Sequence, residues 1–279
     1  MNEDASRKAA AEISVAKAKF ANAWQPFTPR GVAAFAHAPG SRVLFLKTVV
    51  ALLAAIVVVW FLNANYAPSI SEAIKCLPDE AAFQYGELTN ITSGVLTQKK
   101  FLSIVVDMEE TGEAGQTADL QIELRKKYFQ ICSLLGCNLF NYPGENFVIG
   151  RSTSEPWWGA RKPVIMAVCG ALTFAGVWLT WFLLALVYAL IAKLIAYFND
   201  RELSWSGTWR LASAAQMTGA LLMSLAILLY GLQVFDLIQF IFFFSAHFVV
   251  AWIYVGTAPF FLPPVAVVAS AGPNPFGTD

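Results

Sequence analysis

Asp107, Glu109, Glu110 and Glu113 stand within seven consecutive residues and form the densest set of chemically competent side chains in the sequence. Paired carboxylates can do general acid–base work, and several together can cage a divalent cation. This run lacks the alternating acids and closing glutamate of a calcium loop, and no second acidic cluster offers the opposite wall of a cleft. A solvated turn of acids, Thr and Gly accounts for it.

The chain has two histidines, His37 and His247. His247 falls in a long apolar stretch, where an ionisable ring raises the hypothesis of a proton-linked switch. With no acid beside it, a hydrogen bond to a neighbouring helix is the plainer reading. Gln216 is a second polar residue in apolar surroundings, with an amide suited to bonding across helices. Lys47, one turn inside an apolar stretch, is expected to reach back towards lipid headgroups.

Three of the four cysteines, Cys76, Cys132 and Cys137, fall in a polar insert, so a single bridge leaves one unpaired. Cys76–Cys132 is the preferred pairing, tying the entry of the insert to a late helix; the local pair Cys132–Cys137 is the alternative. Cys169, in an apolar run, reads as a packing residue. No C-x-x-C, P-loop, dinucleotide loop, zinc-protease helix or nucleophile elbow occurs. No catalytic, cofactor-binding or metal site is assigned, and no enzyme is expected.

These residues hang on a membrane-like framework. Of 279 residues, 57% are hydrophobic and 14% charged, against about 25% charged in ordinary soluble domains. A run of about 18 or more apolar residues crosses a bilayer as a helix. Four such runs are read: 43–63, 163–198, 211–232 and 235–257. Pro163 is expected to open the second. A cytoplasmic link, 199–210, joins the second to the third. The tail, 258–279, is apolar and broken by Pro259, Pro263 and Pro264, so it is expected at the interface, with a fifth crossing as the alternative. The fold class expected is a membrane α-helical bundle of four transmembrane helices, possible fifth included, with a small extracytoplasmic α+β domain (64–162) after the first.

Nineteen basic residues balance nineteen acidic ones, so net charge argues nothing for a nucleic-acid partner, and none is expected. Their placement sets an orientation. Basic residues gather before the first span and at Lys193, Arg201 and Arg210, whereas 231–236 has none. The positive-inside bias then puts the N-terminus in the cytoplasm and the insert outside. Within the cytoplasmic segment 1–42, Ile13, Ala16, Phe20 and Trp24 recur at helical spacing beside Lys8, Lys17 and Lys19, a pattern suited to an anionic membrane surface.

In the insert, 83–89, 101–107 and 118–124 read as strands, the last placing Leu120, Ile122 and Leu124 on one face. KKYFQICSLLG (126–136) reads as a short helix stopped by Gly136, and 146–150 as a last strand.

Taken in order, LPDEAAFQYGELT, FLSIVVDMEETGE, ADLQIELRKKYF and RELSWSGTWRLASAAQMTGALL resemble an uncharacterised bacterial multi-pass membrane family related to the Yip clan. Pro78, Gly86, Asp107, Thr111 and Gly112 match its insert, with Met108, Glu109 and Glu110 standing between Asp107 and Thr111. Trp209, Arg210, Leu211 and Ala212 match its entry into a small-residue span. The resemblance implies a fold and a topology, together with a membrane-organising or accessory role. The function expected is that of a non-catalytic accessory, scaffold or sensing component of the cell membrane, the bacterial inner membrane in particular. A protein partner is expected through the outer domain or the bundle, with the lipid bilayer as the other partner. The alternative is a permease-like subunit of a mechanotransmitting ABC transport system, which shares the one-plus-three arrangement of spans.

Overall fold

The structure, a computed structural model, describes residues 25–112 and 115–265. Four helices in it are long and apolar enough to cross a membrane. The amphipathic segment with Lys8, Lys17, Lys19, Phe20 and Trp24 lies outside the described residues, as does Glu113.

Helix α1 (Pro29–Ala34) starts where Thr28 Oγ1 accepts the Gly31 N–H at 3.0 Å, with Pro29 at the first helical position. A 3₁₀ turn (Phe35–His37) leads to α2 (Gly40–Phe61), a π-helical turn (Leu62–Tyr66) and α3 (Ala67–Cys76). The helix of the first span thus continues well past residue 63. Helix α4 (Arg151–Phe198) has 48 residues, about 72 Å at 1.5 Å each. It begins before Pro163, which corrects the expected start: Asp79 Oδ1, from another segment, accepts the Ser152 N–H at 2.9 Å and caps the helix. Pro156 and Pro163 therefore lie inside it.

Ser204 caps α5 (Trp205–Gly231) by accepting the Gly207 N–H at 3.1 Å, which shortens the link to 199–204. Asp236 and Gln239 cap α6 (Leu237–Thr257) reciprocally, Asp236 Oδ1 accepting the Gln239 N–H at 2.7 Å and Gln239 Oε1 the Asp236 N–H at 3.1 Å. The described tail makes a 3₁₀ turn (Ala258–Phe261), then bridges Arg201 through Pro264, so within these residues it runs back along the link.

The insert between α3 and α4 is a β domain, which corrects the expected α+β order. A three-stranded sheet has the order β2-β1-β8, from β1 (Ala82–Gln84), β2 (Glu87–Thr89) and β8 (Phe147–Val148). The stretch read as one strand, 83–89, is a hairpin because Tyr85 (φ 53°) and Gly86 (φ 79°) both take left-handed conformations. A five-stranded sheet has the order β3-β4-β5-β6-β7, from β3 (Gly94–Gln98), β4 (Leu102–Val106), β5 (Leu120–Leu124), β6 (Tyr128–Ser133) and β7 (Gly136–Asn141). The expected helix at 126–136 is therefore a strand and a turn. Gly136, at φ 108°, re-enters the sheet as the first residue of β7, and Leu134-Leu135 make the two-residue tip.

Two compact units can be distinguished. One comprises residues 25–52, 176–223 and 243–265, the other 53–175 and 224–242. The first has a core rich in alanine, with Ala185, Ala189, Ala192, Ala212, Ala215 and Ala251 buried beside Val43, Leu211 and Val255. Small side chains let helix backbones approach closely. At Gly219 a Cβ would lie 2.4 Å from the His247 carbonyl oxygen, so only glycine fits there without a shift.

Candidate functional site

Strands β4 and β5 are parallel, so a crossover must join them. The crossover lies between 107 and 119, and near its end Thr117 meets one sheet face, donating its N–H to Gln121 Oε1 at 3.1 Å and its hydroxyl to Ser103 Oγ at 3.3 Å. That face is therefore polar and covered. The alternation in β5 is the reverse of the one expected: Gln121 (2% exposed) and Glu123 (5%) are buried, while Leu120, Ile122 and Leu124 are half-buried.

Glu123 is the centre of a charged network. Arg125 reaches Glu123 Oε1 through Nη2 at 2.8 Å and Nε at 2.9 Å, and donates from Nη1 to the Tyr128 hydroxyl at 3.1 Å. Gln130 donates to Glu123 Oε2 at 2.6 Å. Asp107 lies 3.9 Å from Arg125 Nη2 and caps its own turn, accepting the N–H groups of Thr111 (3.1 Å) and Gly112 (2.9 Å). Burial raises the Asp107 carboxyl, but these donors and Arg125 outweigh it and hold the group below the usual carboxylate range. Glu109 and Glu110 are exposed, as a solvated turn requires. Among the described residues, no three His, Cys, Asp or Glu side chains are placed to hold a metal ion. A hydrogen-bonded internal network of this kind fixes a conformation.

The cysteines pair differently from the preference. Cys132 and Cys137 face each other across the β6–β7 hairpin, with Cα atoms 4.0 Å apart, and are bonded. Cys76 is free and exposed at the end of α3. The hairpin, taken for a helix, is what brings the local pair together.

The sheet domain is anchored to helix ends in the same unit. Tyr230, near the end of α5, donates its hydroxyl to Asp119 Oδ2 at 2.6 Å, and Lys100 Nζ donates to the Phe235 carbonyl at 3.2 Å. The Phe101 ring packs edge-on to Phe61 (5.5 Å) and Tyr230 (4.9 Å), and Tyr230 stacks on Phe240 (4.5 Å). On the other side of β4, Glu72 of α3 binds Lys99 at 2.9 Å and accepts the Thr97 hydroxyl at 3.2 Å. Farther along the two long helices, Trp158 donates to Ser71 Oγ at 2.9 Å. Sequence reading missed this anchor. Its partners come from different segments, with Tyr230 and Asp119 separated by 111 positions, so no local spacing joins them.

In the other unit, Lys47 is 1% exposed, and its ammonium lies over the rings of Trp178 (5.4 Å) and Phe182 (5.3 Å). This overturns the expected reach to the headgroups: the rings supply a cation–π environment instead. The buried Gln216 faces α4. With its amide nitrogen towards the Trp181 carbonyl (3.1 Å) and its oxygen towards the Ala185 N–H (3.0 Å), it bridges to that helix at one rung of its ladder. His247 is bonded through Nδ1 to the Phe244 carbonyl of its own helix and packs on Phe248, with ring centroids 3.8 Å apart. Lys193 donates to the Leu203 carbonyl, and Arg201 Nη1 donates to the Leu262 carbonyl at 2.8 Å, which holds the tail on the link. Gln216 and His247 are thus held by helix backbone, in separate places. No family model matches this sequence, and neither a curated protein nor a solved structure resembles it significantly.

Proposed function

We propose that the chain is a non-catalytic integral membrane protein, an accessory, scaffold or sensing component whose sheet domain lies outside the cytoplasm and binds a partner or ligand. The observation that carries this reading is the anchor formed by Asp119–Tyr230, Lys100–Phe235 and the Phe61, Phe101, Phe240 ring cluster. A freely tethered domain needs only a linker. Here a charge-assisted hydrogen bond and packed rings hold the domain to the ends of two apolar helices, so force or order at the sheet reaches those helices. The charge asymmetry of the sequence supports a cytoplasmic N-terminus, and the Yip-related resemblance supports a bacterial inner membrane.

The permease-like alternative requires a coupling helix for an ATPase between the second and third spans. The link instead turns at Asp200 (φ 51°) and pairs with the tail, with the Glu202 N–H donating to the Pro263 carbonyl at 2.9 Å and the Val265 N–H to the Asp200 carbonyl at 2.8 Å. This weighs against that alternative.

Two measurements test the proposal. With Cys76 and Cys169 replaced, an impermeant thiol reagent added to intact cells should modify Glu145→Cys and leave Asn199→Cys untouched; the reverse pattern refutes the orientation. Purification in mild detergent should recover a partner that is lost when the sheet domain is altered. Stoichiometric recovery of an ATPase would instead favour the transport subunit.

A further inference from the structure

The turn at the tip of the β6–β7 hairpin is the most exposed apolar feature of the sheet domain: Leu135 is 97% and Leu134 58% exposed. Its height is set by the register. Leu120 pairs with Leu102 on one side and Ser133 on the other, so the tip lies at the end of the sheet where β4 and β5 begin. The residues just before those strands, Phe101 and Asp119, are the ones that contact Phe61 and Tyr230. The tip therefore stands at the level of the helix ends.

A second observation places it sideways. A shallow groove is lined jointly by Lys100, Thr117, Asp119, Ser133, Leu134 and Leu237. Leu237 is the first residue of α6, and the turns that follow it expose Ile238 (72%), Ile241 and Phe242. The exposed leucines thus stand across a shallow polar groove from an apolar strip on a helix long and apolar enough to cross a membrane. The Cys132–Cys137 bond closes the hairpin directly behind the tip and limits its freedom to fold back. Tyr128, Asn141 and the loop to Glu145 occupy the opposite end of the sheet.

From this geometry we infer that Leu134 and Leu135 dip into the lipid interface beside α6, as a second point of contact between the sheet domain and the bilayer. Lys100, in the groove behind them, stands where lipid phosphates would lie, a position that suits a cation. The inference rests on the membrane-spanning reading given above. An apolar turn with no charge, at the level of the helix ends and beside the exposed apolar residues of α6, fits a bilayer better than an aqueous partner.

The test is site-directed spin labelling of the full chain in phospholipid nanodiscs, with Cys76 and Cys169 replaced and the disulfide kept. Labels at Leu135→Cys, Ile238→Cys and Glu145→Cys are compared for relaxation by oxygen and by an aqueous nickel chelate. The label at 135 is expected to resemble that at 238, with a several-fold loss of relaxation by the chelate relative to 145. If 238 is immersed while 135 relaxes like 145, this inference is overturned and the membrane reading stands. If 238 also relaxes as aqueous, the membrane reading itself fails. Dipolar broadening between labels at 135 would show that a second copy covers the tip, which also overturns the inference.

Discussion

Replacing Arg125 with Met should loosen the sheet domain far more than removal of a surface cation would. Glu123 has a side chain 6% exposed and takes two short hydrogen bonds from Arg125, leaving Gln130 as its other side-chain donor. Without the guanidinium, a buried carboxylate keeps its desolvation penalty and loses its counter-charge. Breaking a buried ion pair in this way costs about 3–5 kcal/mol. Gln130 and the partial exposure of Arg125 favour the lower end, about 3 kcal/mol. At about 1.4 kcal/mol per factor of ten, that is roughly a hundredfold increase in the opening of β5 and β6. Amide hydrogen exchange of the full chain in detergent, read over residues 120–133, measures it directly. Replacing Glu123 with Met as well removes the stranded charge, so Glu123→Met/Arg125→Met should recover most of the loss. Wild-type exchange in Arg125→Met refutes the argument, as does a double variant no better than the single one.

Three further outcomes follow from the same geometry. Asp107 has a folded-state pKa below its unfolded value of about 3.9, so its contribution is fully present above that pH and is lost as pH falls through the folded value; Asp107→Asn should abolish this acid-dependent opening of 107–112, measured by exchange between pH 5 and 2.5. Alkylation under non-reducing conditions should modify Cys76 alone among the three cysteines of the insert, and Cys137→Ser should free Cys132 and lower stability by about 2 kcal/mol, the closure entropy of so short a loop. Gly219→Ala should cost about 1–2 kcal/mol in detergent thermal melts despite the better helix propensity of alanine, because the His247 carbonyl blocks its Cβ, whereas Gly176→Ala, with open space, should not destabilise.

The four apolar helices were legible because a bilayer-length run of apolar residues needs no knowledge of its neighbours. Strand β4 was legible for a similar reason, its β-branched core being short and bounded by polar residues. Residues 126–136 were misread because Tyr128, Ile131, Cys132 and Leu135 recur at helical spacing, and Gly136 follows where a helix would stop. Only pairing with β5 and β7, invisible in a local window, decides for strand. The orientation of β5 was hidden likewise. Gln121 and Glu123 face inward because the 107–119 crossover brings Thr117, and the strand's own exit brings Arg125, to that side. Polar alternation reports a period; what covers each face is a tertiary fact. The anchor at Tyr230 joins residues over a hundred positions apart, so no spacing rule pointed to it.

The π-helical turn at Leu62–Tyr66 makes residue number, and not just residue type, a determinant of this fold. Such a turn accommodates one residue more than an α-helix would, and offsets everything after it by about 100°. Asn65, donating its side-chain amide to the Phe61 carbonyl at 3.3 Å, occupies the widened rung. Because of that offset, Glu72 meets Thr97 and Lys99, and Ser71 meets Trp158. A single-codon deletion anywhere in 62–66 would leave hydropathy and length almost unchanged, yet it would turn α3 away from every one of these partners. In this segment an insertion or deletion is a rotation, so any chain that shares this fold should hold the count here even where the residues themselves drift.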